Sequence, residues 1–328
     1  SRENAPILSS SISSIVAANA MGDSQLINIE AGFVDLSDVA SIVTSTSSEG
    51  DAGRIELEVD EYINLTGRSV ISSGVTPAGN GRAGDITIMA SDLSLTQGAQ
   101  IGSAVLRASE GLAAGQGRAG NIKLDIEQLL NISGTSAQDL ALPIQLTPAE
   151  LQVLAGYSSG IFASTEEGTS GSAGSIEIDA GNLRLADGAV INARTSTDND
   201  GGNIVVTADN VTVIDGGQVI TTTRSTGQAG SITLTVPGTA TFSGVDSSFA
   251  TRLADFGENI VNNQGPESGV FANTGSGSTG SGQDIEIAAG DLLLTEGGTL
   301  TSRSEGSGPS GNIGIDIDEV LAERNGNI

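Results

Sequence analysis

The chain has 328 residues and a formal net charge of −27, and it contains neither cysteine nor histidine. These absences exclude disulfide bonds, Ser-His-Asp and Cys-His catalytic arrangements, and zinc sites built on those ligands. The acidity disfavours nucleic acid and anionic lipid surfaces as partners, and no apolar run approaches the ~20 residues that span a bilayer. Since hydrophobic residues make up 37% of the chain and alternate strictly, we expect a folded protein rather than a disordered one.

A ten-residue phrase recurs along the chain, as in "AGDITIMASD", "AGSIEIDAGN", "GGNIVVTADN" and "AGSITLTVPG". The first isoleucines of its copies are Ile27, Ile55, Ile86, Ile122, Ile176, Ile204, Ile232, Ile285 and Ile313. The step from Ile176 to Ile204 is 28 residues, as is the step from Ile204 to Ile232, so a 28-residue unit underlies the chain. In seven of nine copies a glycine stands two positions before the isoleucine, where we expect a positive φ at a corner.

Each unit holds three apolar segments. In one copy these are Ile204/Val206, Val211/Val213 and the segment around Val219. Spacing of two predicts strands with one buried face. An antiparallel sandwich would need hairpin turns between all strands, whereas equivalent strands here recur once per unit. We therefore predict an all-β parallel β-helix with three strands per coil and about nine to ten coils of the 28-residue repeat.

The prediction covers residues 1–328 as a single β-helix. The chain starts within one coil and stops partway through another. Because an uncapped coil presents unpaired strand edges, we expect these residues to be a fragment of a longer chain or a subunit of an end-to-end filament.

Two copies carry corner insertions, at 134–159 and 244–268. Their host coils lie three coils apart, so both insertions are expected to leave the same corner. "TPAELQVL" in the first insertion predicts a short helix with Leu151 and Leu154 facing the rod. Two interpretations stay open: the insertions form a ligand or partner surface, or they shield one side of the rod.

Aromatic and apolar residues in or beside the insertions are candidates for that surface. Leu151, Leu154, Phe249 and Phe256 are the candidate contacts with a partner. Equivalent phenylalanines occur after the insertions in "SGIFAST" and "SGVFANT"; they are interpreted as core residues, with carbohydrate platforms as the alternative.

Carboxylates are the chemically active groups that remain. Glu30 and Glu58 share a position in consecutive coils, as do Asp125 and Asp179. A glycoside hydrolase needs two carboxylates about 5–9.5 Å apart, so these pairs have to be considered. We interpret them instead as a solvated acidic wall with no aromatic residue nearby to hold a sugar.

"DNDGGN", at 198–203, is similar to the start of a calcium loop, with Asp198 and Asp200 as candidate ligands. It lacks the later glutamate of such loops and does not repeat. An Asp/Asn/Gly turn is the competing interpretation. Apart from this possible calcium ion, we expect no cofactor.

The segments "AGDITIMASDLSLTQGAQIGS" (83–103) and "AGSIEIDAGNLRLADGAVINA" (173–193), with "SGIFAST", carry a family resemblance. Nearly the whole chain resembles the repeat region of filamentous-haemagglutinin-like exoproteins, particularly large cyanobacterial ones exported by two-partner secretion. The resemblance implies a right-handed parallel β-helix, an extracellular or cell-surface location, and an adhesive or surface-coating role without catalytic residues. The N-terminal secretion domain of that family is not recognisable here.

The sequence thus predicts a non-enzymatic, secreted adhesin or a segment of a structural fibre or surface layer. Its expected partners are other copies end to end, or a cell-surface or extracellular polysaccharide, with no nucleic acid and no membrane insertion. The alternative is a β-helical polysaccharide-degrading enzyme, or a carbohydrate-binding module, that uses the corner of the two insertions.

Overall fold

The computed structural model describes residues 10–109, 111–136, 158–257, 261–319, 321–324 and 326. Strands dominate this part of the chain. In chain order the elements are β1 (Ser11–Val16), β2 (Ile27–Leu36), β3 (Ser41–Thr46), β4 (Ile55–Leu65), β5 (Val70–Val75), β6 (Asn80–Arg82), β7 (Ile86–Thr96), β8 (Gln100–Val105), β9 (Gln116–Arg118), β10 (Ile122–Ser133), β11 (Gly160–Thr165), β12 (Ile176–Ala186), β13 (Val190–Asn192), β14 (Ile204–Ile214), β15 (Gln218–Thr223), β16 (Ile232–Ser243), α1 (Phe249–Phe256), β17 (Gly269–Thr274), β18 (Ile285–Thr295), β19 (Thr299–Thr301), β20 (Ile313–Ile317) and β21 (Leu321–Arg324).

The strands form two long parallel sheets and a small third one. The long sheet has the order β2-β4-β7-β10-β12-β14-β16-β18-β20, with β21 also paired to β18. The short sheet has the order β1-β3-β5-β8-β11-β13-β15-β17-β19, and β6 pairs with β9. Neighbours in each sheet come from successive coils and run parallel. The predicted parallel β-helix is therefore confirmed.

The isoleucines of the repeated phrase form one column inside the long sheet. Ile176 pairs in register with Ile204, and Ile204 with Ile232. The same pairing links all nine predicted positions from Ile27 to Ile313. The aliphatic side chains of both sheets meet in one continuous core, so the repeat exists because each copy contributes one layer of that core.

The first two apolar segments of a unit form one strand rather than two. The long strands are mostly 11 residues, and their register shifts at the middle, for example between Val59 and Tyr62 or between Val236 and Thr239. Such an irregularity bends a strand. The first predicted corner is therefore a bend within a continuous strand, and the full turn follows the second segment.

The positive φ predicted at the glycines before the isoleucines is wrong. Gly202 and Gly230 lie outside the left-handed region, where φ is positive. A Cβ on Gly202 would lie 1.7 Å from the carbonyl oxygen of Gly174 in the previous coil. Glycine is needed at this corner because successive coils stack backbone on backbone. Positive φ occurs instead where the long strand turns into the short one, as at Asp215 (50°) and Gly216 (83°).

Side chains at the same corner tie each coil to the next. The Asn121 carboxamide oxygen accepts a hydrogen bond from the Ser175 backbone N–H (2.9 Å), and the Asn203 oxygen accepts one from the Ser231 N–H (2.9 Å). The Asp85 carboxylate accepts one from the Asn121 N–H (2.7 Å). These bonds fix the register of coils at an exposed edge.

Candidate functional site

The second insertion folds back over the outer face of the short sheet. The Gln264 side chain donates to the Thr222 hydroxyl (3.2 Å), and the Gln264 N–H donates to the Gln218 side chain (2.8 Å). Gln218 also donates to the Glu267 carbonyl (2.7 Å). Both Gln218 and Thr222 belong to β15 and are at most 2% exposed. The insertion therefore covers this face.

A buried ion pair holds the insertion in place. The Arg252 guanidinium on α1 contacts the Asp246 carboxylate, and both side chains are 7% exposed. Burial by itself would raise the pKa of Asp246, but hydrogen bonds from Ser248 and Arg252, with the charge of Arg252, lower the pKa overall. The Arg252 Nη1 also donates to the Ser158 hydroxyl (3.2 Å), and Asn263 accepts from Arg252 Nη2 (3.3 Å).

This network brings the two insertions together at one corner. Ser158 closes the first insertion through a bridge to Thr135, and it bonds directly to Arg252 of the second. The remainder of the first insertion, with Leu151, Leu154 and the predicted helix, lies outside the described residues. The helix that the structure does describe in this region, α1, belongs to the second insertion and was not predicted.

The covered face forms a second, smaller core. Val190, Ile220 and Phe271 are buried together, and Phe162 packs against them. Their neighbours Ile161, Ile191, Val219 and Val270 face the main core instead. The two phenylalanines are thus packing residues beneath the insertion, in line with the interpretation of the insertions as covers.

A groove of about 750 Å³ remains open between the insertion and the ends of the short strands. One wall is apolar and consists of Phe249, Leu253 and Val261. Phe249 is thus the predicted partner-surface residue that the structure places in a cavity. Phe256 is the last residue of α1, and its side chain lies outside the described part.

Three arginines also line this groove. Arg107, Arg194 and Arg224 each lie within two residues of the end of a short strand. The Arg107 guanidinium lies 3.7 Å from the Glu166 carboxylate, which also accepts the Arg107 backbone N–H (3.0 Å). Within the described part of the chain, neither Arg194 nor Arg224 forms an ion pair.

Arg194 has the least compensated charge of the three. Burial, the neighbouring Arg224 charge and the Arg107 charge lower the pKa of Arg194 to about 10, while Glu166 opposes that shift. Its Nε is buried without a hydrogen-bond partner, although the side chain as a whole keeps partial exposure. A guanidinium in this state is stabilised when an anion accepts its N–H groups.

Two of the acids that line the groove, Glu166 and Glu305, are too far apart for paired glycosidase chemistry. Glu166 follows β11 and Glu305 follows β19, four coils further along the rod. At ~4.8 Å per coil they are separated by ~19 Å, beyond the ~9.5 Å limit for an acid and a base acting on one glycosidic bond. Each also contacts an arginine, Arg107 or Arg303.

The acidic positions on the long sheet behave as a regular wall. Asp125 pairs in register with Asp179, and both are exposed. Lys123 lies two residues earlier on β10, and its ammonium donates to Glu177 on β12 (2.6 Å). The outer face at this point carries inter-coil charge pairing.

The expectation that no aromatic residue lies near the Glu30 and Glu58 pair is wrong. Glu30 and Glu58 are in register on β2 and β4, and Phe33 and Tyr62 follow on the same strands. The two rings stack with centroids 5.4 Å apart and remain partly exposed, at 57% and 36%. The Tyr62 hydroxyl donates to Asp35 (3.2 Å).

The candidate calcium ligands serve coil-to-coil hydrogen bonds. One Asp198 oxygen accepts from the Ser225 and Thr226 hydroxyls (2.6 and 2.8 Å), which lowers the pKa of Asp198. Asp200 accepts from the Gln228 N–H (3.0 Å). Across the described residues, no group of three or more acidic side chains converges as metal ligands would. The calcium ion stays a prediction.

The arginine groove was missed at the level of sequence, although a signal was present. Arginines follow four of the third apolar segments, those ending at 105, 192, 223 and 301, and the first three of these arginines line the groove. Stacking places them on one side of the rod. The spacing of the sequence could not show that α1 lines the same groove as these arginines.

No protein-family model, curated protein or solved structure matches the chain. The resemblance to filamentous-haemagglutinin-like exoproteins therefore rests on the repeat text alone. In the described ranges, no helix has the length and apolar character needed to cross a bilayer.

Proposed function

We propose that the chain is a non-enzymatic segment of an extracellular adhesin or surface fibre. The observation that carries this proposal is the uninterrupted stack of nine coils, whose repeated residues serve the interior column and the coil-to-coil contacts. Residues repeated in this way maintain a rigid rod. Such repetition does not by itself build a reaction centre.

The surface chemistry supports a role outside the cell. A net charge of −27 keeps a long β-protein soluble and resists edge-to-edge association along the walls. The resemblance to secreted exoprotein repeats points in the same direction. Partners at the ends of the rod would be other copies of the chain, and partners along its side would be extracellular polysaccharide.

The groove beside α1 favours one part of the alternative, a carbohydrate-binding role at the insertion corner. It combines apolar side chains, Phe249 and Leu253, with a larger number of polar and charged groups that can bond to the hydroxyls of a saccharide. The catalytic part of the alternative has less support, because Glu166 and Glu305 are separated by ~19 Å.

Two measurements on the purified chain test the proposal. Co-sedimentation with insoluble polysaccharides, and sedimentation without them, measure binding and self-association; we expect at least one of the two. A reducing-end assay on the same polysaccharides is expected to stay flat with time. Reducing ends that increase in proportion to protein concentration, and that disappear in Glu166→Gln, would overturn the non-enzymatic assignment. Absence of both binding and self-association would overturn the adhesive or structural role.

A further inference from the structure

The geometry points to the groove beside α1 as a binding site for a saccharide that carries a single carboxylate, such as a uronic acid residue within a neutral chain. The inference deepens the proposed adhesive role and rests on it for its context. It assigns the ligand chemistry from three features of the groove: its charge, its apolar wall and its acidic ends.

The charge of the groove calls for an anion. Arg194 and Arg224 are neighbours in consecutive coils and form no ion pair among the described residues. The buried Nε of Arg194 has no hydrogen-bond partner. A carboxylate accepts N–H bonds from guanidinium groups, so one such group placed between Arg194 and Arg224 would accept from their accessible N–H groups and reduce the repulsion between the two positive charges.

The apolar part of the lining favours a ligand with a weakly polar face. Phe249 and Leu253 lie one helical turn apart on α1, and Val261 continues the apolar surface. A pyranose ring presents C–H groups on one face and hydroxyls around its edge. Its C–H face can pack on this wall while an edge carboxylate faces the arginines.

The acidic residues restrict the ligand to a localised charge. Glu166, Glu167 and Glu305 line the same groove, and the rest of the chain is strongly negative. Sulfated polymers and nucleic acids, with a charge on nearly every unit, would be repelled by these carboxylates. Sugar hydroxyls, in contrast, can donate hydrogen bonds to them. A saccharide chain with a single carboxylate among neutral units is compatible with both the arginines and the glutamates of the groove.

Calorimetric titration of the whole chain with two matched probes tests the assignment. The first probe is a trisaccharide with a central glucuronate, and the second is the same trisaccharide with that carboxylate reduced to an alcohol. We expect the reduced probe to bind at least ~10-fold more weakly, because a charge-assisted pair is lost. Equal affinities would overturn the proposal.

Arg224→Met is the main variant, because Arg224 is exposed and its replacement is expected to leave the fold intact. It should weaken binding of the glucuronate probe at least ~10-fold and leave binding of the reduced probe unchanged. Arg118→Met, an exposed arginine on β9, removes the same charge elsewhere and should change affinity less than ~2-fold. Equal losses in both variants would indicate general electrostatics and would overturn the site.

Three further outcomes complete the test: the first concerns the ligand class, and the other two separate this site from the adhesive role. If a sulfated trisaccharide or an acidic peptide binds more tightly than the glucuronate probe, the ligand class is wrong. If Arg224→Met loses the probe but still co-sediments with polysaccharide, adhesion uses another surface and the groove assignment stands. If the wild-type chain co-sediments but ignores both probes, the adhesive role stands and the groove assignment fails.

Discussion

The two sheets of the rod share one repeat but differ in what lies on their outer faces. On β14 of the long sheet, Val205 is 41% exposed although its neighbours Ile204 and Val206 are completely buried. On β15 of the short sheet, the outward Ile220 is as buried as the inward Val219. Each coil contributes to both sheets, and over β15 the second insertion covers the outer face.

The difference shows which face of such a rod can bind a specific ligand. A solvated wall repeats its polar positions from coil to coil and offers similar chemistry along its length. The covered face breaks the repeat, because α1 and the second insertion line a groove together with the ends of several short strands. The predictions below test whether the two faces are energetically as different as their burial indicates.

Asp246→Asn should have the largest effect. It leaves the Arg252 charge buried without its partner, and breaking a buried pair in this way costs about 3–5 kcal/mol. The loss should concentrate in the cover over β15. Hydrogen exchange of the Gln264 amide, which donates to the Gln218 side chain, measures it, and Asp209→Asn on the long sheet is the control with the same charge change.

The same pair gives a pH dependence of known sign. Because the folded-state pKa of Asp246 is lowered, its contribution to stability is present above the ordinary value of 3.8 and is lost as the pH falls through the folded-state value. Limited proteolysis at decreasing pH should therefore cut the insertion before the coils. Cleavage of the insertion at equal rates in the wild type and in Asp246→Asn at neutral pH would contradict the role of the Asp246–Arg252 ion pair in holding the insertion.

Ile204→Ala should come next. The side chain is completely buried in the central column, and its truncation costs about 2–4 kcal/mol through lost burial and the cavity that remains. Val205→Ala changes the adjacent residue on the solvated face and should cost less than about 0.5 kcal/mol. Urea denaturation of both variants measures the contrast. Similar losses would mean that the wall is not a free surface.

The long sheet could be predicted from sequence in detail, and the covered face could not. Alternation of Ile204, Val206 and Ala208 contains the whole geometry of a strand with one buried side, and the repeat places it in register. The pairing of strands in successive coils follows from the period of the repeat alone. For this reason all nine isoleucine positions were placed correctly.

The candidate site depends on contacts that no period describes. Arg252 meets Ser158, which is 94 residues away in the chain, through a fold of an irregular insertion. The arginine groove likewise needs α1 on one side and the short-strand ends on the other. The wrong prediction of a positive φ at the corner glycines has a related cause. The sequence shows that a side chain is absent at these positions, but the reason is the close stacking of successive coils and not the backbone conformation.

Gly230→Ala tests that stacking directly. A Cβ there would lie 1.8 Å from the carbonyl oxygen of Gly202, so two coils must separate locally, at a cost of about 1–3 kcal/mol. Gly32→Ala is the matched control, because a Cβ at Gly32 meets nothing within 4 Å and its φ is not positive. Thermal unfolding should place Gly32→Ala at or above the wild type. A loss of equal size in both variants would point to strand propensity rather than stacking.

Asn203→Ala should have the smallest effect of the series. The Asn203 oxygen accepts hydrogen bonds from the Ser231 N–H (2.9 Å) and hydroxyl (3.1 Å) at an exposed corner of the long sheet. A hydrogen bond contributes about 0.5–1.5 kcal/mol net, and water can replace part of it at an exposed site. Ser231→Ala removes only the hydroxyl bond and should therefore cost less than Asn203→Ala. If urea denaturation ranks the two variants in the reverse order, the backbone bond does not fix the register, and the isoleucine column alone aligns the coils.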